Sequence, residues 1–436
     1  MGKNKLLGVA AAALATVSAG AIIAQDANAQ ATTSWSGAPR TREEDREFKV
    51  NGRMQYDVFS VDRDIAGTQN DSSWSGSYMR RAFIGVEGRF TENWRYNVKF
   101  DLAPSAADSG SEVKLDDAFL EYAGKNFSIF VGQNNAISHM EDRTSSNYTP
   151  FNERSMMNQI SGYTKTFGVA FLTNGGNWSA GVGVVTDSLN DQQNAINTPA
   201  SPAGFAAQQG SAERTGVVAR GTWAPIYSRT PDGTTVLHLG VSARHRDDGT
   251  NPYGAYSARA NQNSLSNVSA ALSSGGSYRS DDTYGAEAAF QWNAFGVEAE
   301  YMQIEATQAF AGAAGGVPSE RDLSAGYVDI FWSPTGESRN YSASDGSWGR
   351  ISPRRTLGSD GGIGHIMLSA RYEWLTADDL AFGANRGETT GYLAGVTWAP
   401  IGYVKFQLNY GQYETDLTAG TDFEDQTMSL RTQFDF

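Results

Sequence analysis

The chain has 436 residues, a formal net charge of −14 and no cysteine. So acidic a surface argues against nucleic acid as a partner, and the missing thiols rule out a disulfide framework and a thiolate zinc centre. Ten Trp, 19 Tyr and 21 Phe, with 48 Gly against 12 Pro, suit many strands joined by turns better than helices.

The N-terminus reads as a secretory signal. Lys3 and Lys5 precede a run from Leu6 to Ile23 made almost wholly of Ala, Leu, Val and Gly. Ala27-Asn28-Ala29 then offers small residues where a signal peptidase reads, so residues 1–29 are predicted to be removed after Ala29. The run is too short and too interrupted by Ser and Thr for a membrane anchor. Residues 30–47 are polar and lack heptads, which predicts a periplasmic leader or at most a strand extension. Beyond them no window approaches the ~20 apolar residues a membrane helix needs, and the mean hydropathy is −0.43.

From Phe48 the pattern has period two, as in a strand whose side chains point alternately to its two faces. Phe48, Val50, Gly52, Met54, Tyr56 and Val58 share one face, and Lys49, Asn51, Arg53, Gln55 and Asp57 the other. Ala82 to Phe90 oppose Arg81, Glu87 and Arg89, and Trp94 to Leu102 oppose Arg95, Asn97, Lys99 and Asp101 in the same way. The alternation returns at 365–374, 404–410 and 428–436. The polar face carries full charges while the apolar face is rich in Tyr, Trp and Phe. That arrangement fits lipid outside and water inside, and predicts residues 48–436 to be an all-β transmembrane antiparallel β-barrel of about 16 strands.

The connections agree with this reading. Short links near Thr91, Gly124, Gly175, Asn293 and Ile401 alternate with long ones through 62–76, 134–161, 187–212 and 248–281, as periplasmic turns alternate with external loops. One long stretch, 334–362, breaks the rule by falling on the periplasmic side. Trp223-Ala224-Pro225, Trp332-Ser333-Pro334 and Trp398-Ala399-Pro400 are expected to end strands at that interface, because Trp suits the headgroup level and Pro cannot continue a ladder.

Four segments carry a resemblance: YMRRAFIGVEGRF (Tyr78 to Phe90), LDDAFLEYAGKNFSIFVGQ (Leu115 to Gln133), RTSSNYTPFNERS (Arg143 to Ser155) and GYVDIFWSPTGESRNY (Gly326 to Tyr341). Together they resemble the phosphate-selective porin O/P family across the whole mature barrel. The resemblance implies a homotrimeric outer-membrane channel for small hydrophilic or anionic solutes, narrowed by a long third loop folded into the pore. Carried over by position, it implies an anion path at Arg80, Arg81, Ser145, Ser146 and Arg154, with Asp117 beside them. The final Phe436 resembles the signal read by the barrel-assembly machinery. Outer-membrane lipid and lipopolysaccharide would surround the barrel.

Alternation itself adds inward cations, among them Arg53, Lys99, Arg220, Arg244, Arg371, Lys405 and Arg431. Arginine forks and hydroxyls can replace an oxyanion's hydration shell. Asp57, Glu121, Glu287, Glu298, Glu300, Asp329 and Glu373 share those faces, so many charges are expected to pair across strands. Arg339, Arg350, Arg354 and Arg355 cluster in the long periplasmic link, which is expected to fold toward the pore mouth as a basic ring. His139 beside Ser138 and Asp142 is the one grouping suggestive of hydrolysis, and neither 62–71 nor 247–248 has EF-hand spacing. No catalytic group, cofactor or metal is therefore expected. General or weakly cation-selective diffusion remains the alternative channel reading, with an outer-membrane barrel enzyme or a plugged structural barrel as rivals.

Overall fold

The structure, a computed structural model, describes residues 32–35, 37–67, 72–103, 113–135, 137–161, 165–189, 215–231, 233–247, 256, 258–259, 278–308, 320–358, 361–377, 387–418 and 420–436. The signal segment with its expected cleavage site, and most of the external loops 187–212 and 248–281, lie outside the described residues.

Two short strands, β1 (Thr32–Trp35) and β2 (Pro39–Glu43), form a hairpin, and β2 pairs with the start of β3 (Arg46–Ile65). The wall continues through β4 (Ser72–Arg89), β5 (Trp94–Asp101), β6 (Lys114–Ala123), β7 (Phe127–Asn134), β8 (Thr166–Asn174) and β9 (Trp178–Thr186). It goes on through β10 (Thr215–Thr230), β11 (Gly233–Asp247), β12 (Tyr278–Trp292), β13 (Phe295–Gln308) and β14 (Glu320–Trp332). The small hairpin β15 (Asn340–Ser342) and β16 (Ser347–Gly349) leaves the wall, which β17 (His365–Ala377), β18 (Gly387–Ile401), β19 (Val404–Leu417) and β20 (Phe423–Asp435) complete. β20 pairs antiparallel with β3 from Asp435↔Arg53 to Phe423↔Ile65, so the sixteen wall strands close into a ring. The terminal Phe436 exchanges both backbone hydrogen bonds with Gly52. Any side chain at 52 would meet its ring, since a Cβ there would lie 2.3 Å from Phe436 Cζ.

The polarity is the reverse of a soluble protein's. Trp292 is 62% exposed and Arg431 is 0% exposed. An apolar exterior around a charged interior is stable only where the exterior solvent is lipid. Two of the three Trp-x-Pro motifs do not end their strands. β10 and β18 run on past Pro225 and Pro400 through register shifts between Trp223 and Ile226 and between Trp398 and Ile401. A bulge leaves the Pro position out of the ladder, so its missing N–H costs no bond.

The five strands from β5 to β9 have 8 to 10 residues each, against 13 or more in every other wall strand. Two segments turn inward and fill the lumen. From outside comes the loop after β7, carrying α1 (Met140–Arg143) and α2 (Met156–Ser161). From the short-turn end comes the 333–358 link with its β15–β16 hairpin. Its Trp348, Tyr341 and Ala343 join Met140 and the wall residues Phe331, Met367 and Val236 in one buried cluster.

Candidate functional site

The inward loop is held by the wall's carboxylates. The first amides of a helix have no partner within it and carry partial positive charge. Met140 N donates to Glu287 Oε2 at 2.6 Å, and Glu141 N to Glu300 Oε1 at 2.7 Å. At the second helix Met156 N donates to Glu373 Oε2 at 2.7 Å, and Ser155 N donates to Glu141 Oε1 at 3.0 Å. His139 Nδ1 lies 2.9 Å from Glu300 Oε2. Burial works against its imidazolium, but Glu300, with Asp142 and Glu141 close by, outweighs burial and raises the His139 pKa. Ser138, His139 and Asp142 therefore form part of the loop anchor.

Several arginines expected on the solute path bind protein acceptors. Arg371 forks onto Asp329 at 2.6 and 2.8 Å and reaches Glu141 at 2.8 Å. Arg431 forks onto Asp57 at 2.7 Å and also holds Glu153. Arg220 binds Glu287 and the Asp345 and Gly346 carbonyls of the link, and Arg244 contacts Thr283 and Asp281. Arg154 donates to the carbonyls of Glu141, Asp142 and Thr144, closing the C-terminal end of α1. These groups brace the inward loop and the link, as the carboxylates that share their faces lead one to expect.

Two of the four arginines expected to form a basic ring from the link are paired instead. The link does enter the lumen, yet Arg339 pairs with Glu298 at 2.7 Å between the Phe331 and Trp348 rings. Arg350 pairs with Asp435, while Arg354 and Arg355 stay exposed. Trp348 N donates to Thr144 Oγ1 at 3.1 Å and Arg143 to Asp345 at 3.0 Å, so loop and link clasp one another in mid-lumen.

Two bulges then shape the less crowded side of the ring. Opposite Gln55 and Tyr56 the partners are Arg81 and Met79, leaving Arg80 as an extra residue. A bulge can turn consecutive side chains to one face. Arg80 binds Glu153 of the inward loop at 2.7 Å, while Arg81 donates to Gln55 Oε1 at 2.8 Å. A second bulge makes Asp116 the extra residue opposite Lys99 and Phe100. Lys99 accordingly meets both Asp116 (2.7 Å) and Asp117 (2.6 Å), and Lys165 Nζ lies 2.5 Å from Asp117. Burial alone would raise the Glu153 carboxyl, but Arg80 and Arg431 hold it well below the usual carboxylate range.

Among the described residues, a set of inward cations is hydrogen-bonded to neutral groups and is in no ion pair. Arg53 Nη1 donates to Ser146 Oγ at 2.9 Å and Asn147 Oδ1 at 2.7 Å, Arg81 to Gln55, and Lys405 Nζ to Asn147 O at 2.9 Å. They stand on β3, β4 and β19, beside the loop tip at Ser145–Asn147. Ser145 itself turns its hydroxyl to Asn147 N at 3.3 Å. Glu153, Lys165 and Asn147 escaped sequence reasoning, because nothing in a loop's periodicity marks which residue meets the wall.

Residues 48–436 match the family described as phosphate-selective porin O and P. The chain is 24% identical over 429 residues to Porin O of Pseudomonas aeruginosa, covering 91% of this chain and 89% of that protein. It is 28% identical over 429 residues to an uncharacterized protein of Caulobacter vibrioides, covering 95% and 79%. Among solved structures it is similar to an anion-selective porin from Comamonas acidovorans (TM-score 0.54, 10% identity, 90% of this chain and 100% of that one). It is also similar to the outer membrane channel DcaP of Acinetobacter baumannii (TM-score 0.52, 12% identity, 90% and 98%). At such identities the structural likeness is one of fold.

Proposed function

The chain belongs to the phosphate-selective porin O and P family and is an outer-membrane porin, and from that premise we propose that its channel favours small anions over cations. The observation that carries this reading is the set of Arg53, Arg81 and Lys405, three inward cations with no carboxylate partner among the described residues. The lumen's carboxylates are occupied elsewhere: Glu287, Glu300 and Glu373 take helix amides, and Asp329, Asp57 and Glu153 take arginines. A passing anion therefore meets positive charge that is not tied up in an ion pair, and it can leave because the donors are few. Phosphate is one such anion.

Reversal potentials across a salt gradient test this. Wild type should prefer chloride and phosphate over potassium, and Arg53→Gln with Arg81→Gln should shift the preference by about tenfold or less toward potassium, the ratio one charge-assisted bond carries. A double variant with wild-type selectivity would remove the reading's support.

A homotrimer is the second part of the proposal. A strand of eight residues at ~3.3 Å per residue and a tilt of ~40° rises only about 20 Å, short of the ~25 Å apolar band. β5 to β9 form such a low sector, with Leu120, Ile129, Val131, Val169, Phe171 and Val182 exposed on its outer side. A second copy would cover that sector where lipid fits poorly. OmpT of Vibrio cholerae, a similar fold at 10% identity, has been solved in a trimer form. Sedimentation of the detergent-solubilised protein should give three copies, and substituting Arg for Val131 and Val169 should release single barrels. The signal segment 1–29 belongs to the same proposal, as the export route to this membrane.

A further inference from the structure

We infer that the cavity between the tip of the inward loop and the short-turn ends of β17 to β20 is a binding station for small organic anions with an apolar body, such as an aromatic monocarboxylate. The inference rests on the anion-porin reading and names a substrate class for it. Asn147, Tyr148 and Thr149 of the loop, Arg350 and Ile351 of the link, and the wall residues Met367, Ala399 and Lys405 meet there.

The chemistry of this lining is two-sided. At one end stands Lys405. An ammonium has three donors, and one is engaged, at 2.9 Å to Asn147 O. The charges around it are Arg350, Asp435, Arg53 and Arg431. Asp435, which also lines the cavity, is already bound by Arg350, and Arg431 by Asp57 and Glu153, so among the described residues Lys405 itself is in no ion pair. The rest of the lining supplies hydrocarbon from Met367, Ala399 and Ile351 and the Tyr148 ring, over which Arg350 lies at 5.3 Å, beside polar side chains such as His365, Thr397 and Gln433. Bare phosphate can use such donors, but it leaves the hydrocarbon of the lining without a partner. An anion with a ring or short hydrocarbon body satisfies both ends, its carboxylate on Lys405 and its body on the apolar wall.

The place of the cavity agrees. Asn147 joins two cations, taking Arg53 on its side-chain oxygen and Lys405 on its carbonyl. Through that one loop residue Lys405 stands beside Arg53.

Single-channel recordings of the full chain in planar bilayers test this, with benzoate and inorganic phosphate compared as blockers of chloride current. Benzoate should block wild type, and Lys405→Gln should raise its half-blocking concentration about tenfold. Ile351→Asn, in a half-buried link residue, should raise the benzoate value about tenfold through lost apolar contact and leave the phosphate value unchanged. The gel mobility of the unheated, detergent-folded barrel identifies each variant as folded, and Ile351→Thr replaces Ile351→Asn should that channel not form. No benzoate block in wild type, no change in Lys405→Gln, or equal shifts for both blockers at position 351 would each overturn the station. Chloride-over-potassium preference in the same wild-type channels reads the anion assignment separately, so failure of one is distinguishable from failure of the other.

Discussion

Arg371→Ala should lower the barrel's stability by about 3–5 kcal/mol, the cost of leaving buried charges without their counterion. The Arg371 side chain is 1% exposed, and its partners Asp329 and Glu141 are 0% and 3% exposed. Its guanidinium also packs against Phe151 and Tyr327, at 4.8 and 4.6 Å. Removing it strands two carboxylates beside Glu373 and Glu298, and Glu141 is the residue that accepts from Ser155 at the start of α2. Loop position and barrel stability should therefore fail together. Guanidinium titration in detergent micelles should show an earlier midpoint, and bilayer recordings a wider, noisier pore. A companion change, Arg371→Met with Asp329→Leu and Glu141→Gln, should recover much of the loss, since neutral groups of similar size need no counterion. An unmoved midpoint in Arg371→Ala would show that this triad holds nothing.

The second large effect is expected at Arg339. Its side chain is 1% exposed, pairs with Glu298 and lies between two aromatic rings. Arg339→Ala should cost about 3 kcal/mol or more locally, from the unpaired carboxylate and the lost cation–π contacts. Because the link is joined covalently to the wall only at Trp332 and His365, the readout is the channel. Freed from the wall, the β15–β16 hairpin should leave mid-lumen, raising conductance and adding slow transitions between levels. Arg339→Lys should be intermediate, because an ammonium keeps the charge and loses the flat stacking. Conductance identical to wild type in Arg339→Ala would mean that Arg220 and the Trp348–Thr144 contact seat the hairpin unaided.

The wall was legible because its two solvents impose a period of two, and the face assignment of Arg53, Asp57, Arg371 and Arg431 followed from counting. Counting fails at a bulge. Arg80 belongs to the outer face by alternation and reaches Glu153 inside only because one extra residue is inserted there. Asp116 is displaced inward in the same way. Pro225 and Pro400 misled in the opposite direction, since a proline that ends a regular ladder is tolerated at an irregular one. The carboxylates of β12 to β17 were visible as inward charges, but their role was not. A wall acid that receives a helix amide from a loop more than a hundred residues away leaves no local pattern, as Glu287 with Met140 shows. Arg339 was read as part of a mouth ring because four nearby arginines suggest solvent, whereas Phe331 and Trp348, which enclose it, are separated from it in sequence.

The seam between first and last wall strands has a consequence for assembly. Gln55 and Gln433 touch across 378 positions of chain, and Arg431 on the closing strand grips Asp57 on the opening strand and Glu153 on the inward loop at once. The seating of the inward loop, and with it the bottleneck that loop makes, is thus finished by the act that seals the cylinder. A nascent barrel still gaping at this joint has no bottleneck to discriminate between ions, so leakiness and incomplete biogenesis should be one phenotype.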